Sequence, residues 1–141
     1  MRPDAALLAE IQEEASLAGV AHIYPPELYP FPRDAVRERW EAFDDWVHGT
    51  ADGFVAVKDG WLEAMYVRPS AWGSGLADEL HAAAVAELGR RGTERARLWV
   101  LDGNGRARRF YERHGWRPDG SSRVVEFPPH PIDLGYALRF R

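Results

Sequence analysis

The sequence contains no cysteine at all. That excludes a disulfide framework, a thiolate metal site and a cysteine nucleophile, and leaves a reducing cytoplasm as the default compartment. Lysine is almost as scarce, with Lys58 alone among 18 basic residues, a bias of codon composition more than of chemistry. No apolar run approaches the roughly 20 residues that cross a bilayer, and Met1-Arg2-Pro3-Asp4 opens into amphipathic sequence without the apolar core of a signal peptide. Basic excess is missing too: the net charge is −4, which argues against a general nucleic-acid binder, since such affinity rests on many phosphate contacts. Internal repeats and low-complexity stretches are absent. What remains is 141 residues, 45% hydrophobic and 12% aromatic, the composition of one globular domain spanning residues 1–141.

Along the chain, Asp4 caps a helix in which Leu8, Ile11 and Ala15 recur at helical spacing up to Gly19. Four prolines then forbid regular pairing over residues 20–33, where Tyr24, Tyr29 and Phe31 supply apolar surface to an ordered loop. Asp34 caps a second helix carrying Val36, Trp40, Phe43 and Val47 on one stripe before Gly49. The period then changes. Residues 54–57 and 61–67 read as strands joined by a tight Asp59-Gly60 turn. A helix over 75–88, a strand over 97–101, and a helix capped by Asn104 and ended by Gly115 follow; short strands near 123–127 and 136–141 close a mixed sheet.

Two segments carry chemistry. Gly73-Ser74-Gly75-Leu76-Ala77 lies between a strand and a helix, where glycines let backbone N–H groups converge on an anion and the helix dipole adds attraction. Read alone, the same residues also make a plain helix cap, and they fit neither a P-loop nor a dinucleotide fingerprint. The second segment runs from Asn104 to Trp116 and includes Ala107, Phe110, Tyr111 and Gly115. The five histidines show no two-histidine helical spacing, so no metal is expected. Arg106, Arg108, Arg109, Arg113 and Arg117 form a basic cluster that reads as a solvated helix face, with a guanidinium suited to a phosphate.

Taken together, Tyr66-Val67-Arg68-Pro69, Trp72 to Ala77 and Asn104 to Trp116 resemble the GNAT N-acetyltransferase superfamily. The resemblance is close over about 60 residues, from Trp61 to Gly120. It implies an α/β (α+β) fold with a mixed, mostly antiparallel central sheet flanked by about four helices. It also implies acetyl-CoA as cofactor, with CoA as product, and transfer of the acetyl group to an amine of a small molecule or peptide. Trp72, Gly73, Ser74, Gly75, Leu76 and Ala77 would then cradle the pyrophosphate, Met65 and Val67 would pair with the pantetheine arm, and Asn104 would bond nearby. Tyr111 would protonate the departing thiolate; its alternative is a core aromatic beside Phe110. Glu63 is the candidate base acting through water, on the same nominal face as Trp61, Met65 and Val67, with a solvent-facing role equally open and a strand bulge able to reverse the face. Glu126 is a weaker candidate. Tyr24, Tyr29 and Phe31 would wall the acceptor site.

The chain departs from the family pattern in three places. Trp72 stands where Gln or Arg is usual, no strand precedes the first helix, and only one strand is legible between the second helix and the strand of Met65. An edge trimmed in this way exposes pairing groups and invites a homodimer. The competing functional class is an acyl-CoA-binding or protein-interaction module without transfer; retention of Asn104 with Tyr111 favours the enzyme.

Overall fold

The structure, a computed structural model, describes residues 2–140. Two helices begin the chain. In α1 (Ala5–Gly19) Asp4 accepts a hydrogen bond from Leu7 N at 2.9 Å, the cap its sequence promises. The second helix, α2 (Arg33–Ala42), differs from expectation at both ends: Pro32 is its cap, Asp34 lies in the first turn, and the helix stops five residues before Val47. Phe43 turns extended, and the two aspartates that follow are held from outside, Asp44 by Lys58 at 2.7 Å and Asp45 by Arg91 at 2.7 Å. Residues Trp46–Gly49 therefore form a strand, β1, and not the end of a helix. Val47 is buried there just as a helical stripe would have buried it. The helical period continued through it by coincidence.

With β1 restored, two strands precede β3 (Trp61–Val67): β1 and β2 (Gly53–Lys58). The edge is less trimmed than the sequence suggests, although no strand precedes α1 among the described residues. β2 and β3 join through Asp59 (φ 50°) and Gly60 (φ 80°), both left-handed as a type I′ hairpin requires. Next come α3 (Leu76–Arg90), β4 (Arg95–Leu101), α4 (Gly105–Arg113), β5 (Arg117–Val124) and β6 (Ile132–Arg139). The last two strands are longer and earlier than expected, because residues 125–131 turn the chain where a strand had been read.

The six strands form one sheet in the order β1-β2-β3-β4-β6-β5, antiparallel except for β3 against β4. One face, carrying Val47, Phe54, Ala56 and Ala64, packs on α1 and α2 through Leu8, Ile11 and Trp40. The buried Trp40 indole donates to Gln12 Oε1 at 2.9 Å, so its one polar atom is satisfied. The other face, with Val55, Val57, Leu62, Val67, Leu98 and Val100, packs on Leu80, Ala84 and Leu88 of α3 and on Tyr111 of α4. No helix among the described residues is long and apolar enough to cross a membrane.

Candidate active site

The site begins where two strands part. β3 and β4 are registered only at Trp61 opposite Arg97, where Arg97 N donates to Gly60 O at 3.1 Å. Farther along, Arg68 N donates back to Asp52 O at 2.8 Å, on the β2 side. Backbone groups alternate sides along a strand, so Met65 and Val67 turn theirs toward β4, with no ladder partner there. That leaves an open edge inside the sheet, at the positions expected to meet a pantetheine arm.

At the end of β3 the chain makes a short 3-10 turn (Pro69–Ala71) and enters α3 through Gly73 (φ 81°) and Gly75 (φ 91°). A Cβ at either glycine would meet nothing within 4 Å, so their need is conformational and the side they present is open. Ser74 Oγ donates to Ala71 O at 2.6 Å and accepts from Leu76 N at 3.3 Å, which fixes the loop. Leu76 is the one first-turn amide satisfied in this way; those of Gly73, Gly75, Ala77 and Asp78 make no hydrogen bond among the described residues. Such amides at a helix N-terminus make an anion cradle.

Trp72 stands over this opening. Its indole donates to Val67 O at 2.9 Å, and its ring lies 3.5 Å from the Arg106 guanidinium of α4. Burial lowers the Arg106 pKa from its ordinary value. Asn104 caps α4 by accepting from Ala107 N at 3.2 Å, while its own N–H donates to Leu101 O at 2.9 Å. Gly115, at φ 94°, ends the helix.

Tyr111 is 7% exposed and packed edge-on to Phe110 and Trp116. Its hydroxyl makes no hydrogen bond, yet Arg97 Nε is the one side-chain atom both sealed and unpartnered among the described residues. The hydroxyl is therefore not fully sealed. Burial, with Tyr66 nearby, raises its pKa, so it carries its proton at neutral pH.

Glu63 is placed by a bulge. Ala64 pairs with Ala56 and Leu62 with Val57, so Glu63 is the extra residue between them. This corrects the expected face: Met65 and Val67 pack toward α3, whereas Glu63 lies on the α1–α2 side, 3.8 Å from Arg39. Of the aromatic loop, Tyr24 and Tyr29 meet edge-on at 6.5 Å, and Phe31 joins no aromatic pair. The loop is moored by His22 Nε2, which donates to Gly103 O at 2.8 Å. Burial raises the pKa of both Tyr24 and Tyr66; the Asp133 charge raises that of Tyr24 further, whereas at Tyr66 the opposing effect of Arg39 is larger than that of Asp133.

Tyr66 and Asp133 are the residues sequence reasoning missed. Tyr66 was visible only as part of a motif, and Asp133 lay in a stretch read as loop ahead of a strand at residue 136. Glu126 sits outside this group, exposed in the turn after β5. A hollow of about 660 Å³, lined by Arg95, Arg117 and Arg139 among others, holds none of the site residues. Among the described residues no group of three His, Asp or Glu could hold a metal.

The acetyltransferase (GNAT) family matches residues 2–116. The chain belongs to that family. Among solved structures, the GNAT-family chain is similar to the apo form of YjaB from Escherichia coli, with TM-score 0.71 and 20% identity over 94% of this chain and 89% of that one. It is similar also to PaiA N-acetyltransferase from Thermoplasma acidophilum in complex with coenzyme A, with TM-score 0.65 and 17% identity over 97% and 93%. A third is a ribosomal-protein alanine N-acetyltransferase from Escherichia coli, with TM-score 0.64 and 19% identity over 94% and 86%. At these identities the likeness is one of fold. No curated protein matches the chain.

Proposed function

We propose that this GNAT-family chain is an acetyl-CoA-dependent N-acetyltransferase that transfers acetyl directly to a primary amine of a small molecule or peptide. The observation that carries the reading is the unpartnered Tyr111 hydroxyl, packed against the sheet whose β3 edge stands open at Met65 and at the N–H of Val67. Acetyl-CoA would supply an activated thioester. The free amides of Gly73, Gly75, Ala77 and Asp78 suit its pyrophosphate, and the open β3 edge suits an amide-bearing arm. The PaiA neighbour was solved with coenzyme A.

An alkylammonium with pKa near 10 is only about one part in a thousand neutral at pH 7. Glu63, through water, takes its proton. As the C–N bond forms and the C–S bond breaks, Tyr111 gives its proton to the leaving sulfur, the second proton on nitrogen leaves to solvent, and Tyr111 recovers one from there. One observation favours the second reading, a protein-interaction module on the same fold: the Trp72 indole already occupies Val67 O, a backbone group the cofactor arm would use.

Titration calorimetry with acetyl-CoA, CoA and ATP tests the cleft, and release of CoA thiol in the presence of amines tests transfer. Micromolar CoA binding without ATP binding, followed by amine-dependent turnover, is expected. Tyr111→Phe should lower kcat by about 10- to 100-fold with cofactor affinity retained. Binding without turnover of any amine would refute transfer, and no CoA binding would leave the module reading standing.

A further inference from the structure

Asp133 is unusual among the carboxylates on the α1–α2 side of the sheet. It is 7% exposed, on β6 opposite Leu101 of β4. A single side-chain bond reaches it, from Arg123 Nε to Oδ2 at 3.0 Å, and the Arg123 guanidinium is spread over the Trp99 ring at 4.6 Å. An ionised carboxylate has about four acceptor sites, and burying one with most of them idle is costly. Oδ1 has no partner among the described residues and is not sealed. Of the neighbouring carboxylates, Asp119 is committed to Arg95, Arg97 and Ser121, and Glu63 lies 3.8 Å from Arg39.

The surroundings of Asp133 belong to the same site. Asp102 N donates to Ile132 O at 2.8 Å, which ties the start of β6 to the turn leading into α4 and Tyr111. The His22–Gly103 bond moors the α1–α2 loop to that same turn. Tyr66 of β3 packs on the same α1–α2 side of the sheet, and the loop that carries Tyr24 is moored at that end of it. Neither the Tyr24 nor the Tyr66 hydroxyl has a partner among the described residues, and neither is sealed. A free carboxylate oxygen on a face that also carries aromatic rings is the chemistry that recognises an organic cation.

We propose that Asp133 Oδ1 binds the cationic group of the acceptor, on the face of the sheet that carries Tyr66 and under the loop of Tyr24, so that the acceptor class is a cationic amine. This rests on the transferase reading. Asp133 holds the acceptor and takes no proton; that step stays with Glu63 and water.

The test uses the full chain and Asp133→Asn, which keeps an oxygen for Arg123. Amine-dependent CoA release is measured with 1,4-diaminobutane, 2-phenylethylamine and a lysine-bearing peptide as cations, and with aniline as an amine neutral at pH 7.5. Acetyl-CoA binding by calorimetry and the melting temperature are recorded alongside. The wild type should acetylate at least one cation. Asp133→Asn should raise its KM by about 10- to 100-fold, the scale of one charge-assisted bond, with kcat and acetyl-CoA affinity little changed. An unchanged KM, a loss confined to kcat, or turnover of aniline alone would overturn the proposal. So would acetyl-CoA binding with none of the cations acetylated. Failure of the wild type to bind acetyl-CoA would instead strike the transferase reading, and this proposal would fall with it.

Discussion

Acid should destabilise the fold through one histidine. His81 of α3 is 5% exposed, and its Nε2 accepts the Trp116 indole N–H at 2.9 Å. That bond requires a neutral ring with its proton on Nδ1. The His114 ring lies 4.4 Å away, with its Nε2 2.8 Å from Asp78 Oδ1, and Phe110 stands edge-on at 5.7 Å. Burial first, and then the charge of His114 against a smaller opposing effect of Asp78, lowers the His81 pKa from 6.5 to about 4. Because the folded pKa is depressed, the unfolded chain binds more protons below pH 6.5. Stability is therefore full above that pH and lost progressively as pH falls toward 4. Linkage puts the loss between pH 7 and pH 5 at about 2 kcal/mol, which for a domain of this size is a fall in Tm of about 5–7 °C. The control is His81→Gln, whose amide oxygen can accept from Trp116 but takes up no proton. Thermal unfolding followed by tryptophan fluorescence at pH 7 and pH 5 should show a larger fall for the wild type, by about 5 °C. Equal falls in the two proteins would refute the reasoning.

Three further outcomes are expected. Gly75→Ala would hold an alanine at φ 91° with nothing to clash against, so calorimetry should show weaker CoA binding, with about 1–2 kcal/mol of stability lost to backbone strain alone. Gln12→Leu would strand the buried Trp40 N–H, and urea unfolding should report a loss of about 1–3 kcal/mol. Glu63→Gln should lower kcat/KM by about 10- to 100-fold at pH 7, with the deficit shrinking as pH rises toward the pKa of the amine itself; a deficit independent of pH would remove Glu63 as base.

Most of the segment from β2 to α4 was legible because its signals are local. Asp59-Gly60, Asn104 and Gly115 each occupy backbone geometry that few residues accept, so their positions announced a hairpin, a cap and a helix end. The second helix was misread for the opposite reason. Val47 satisfies a helical stripe and a strand alternation equally well, and the interruption at Asp44 and Asp45 depends on Lys58 and Arg91, which are distant in sequence. The surroundings of Asp133 are harder still to read. Asp133 gains meaning only when β6 lies beside β4 and the α1–α2 loop is moored over it, and no local pattern reports such a meeting.

The bulge at Glu63 separates chemistry from architecture. Trp61 and Leu62 before it, and Ala64 to Val67 after it, face the sides they would face if Glu63 were absent, each matched to its β2 partner. Glu63 is thus a guest in the ladder: a chain one residue shorter here would keep both cores in register and lose only the carboxylate. At this point of the sheet a single codon can be gained or lost with every other side chain keeping its address.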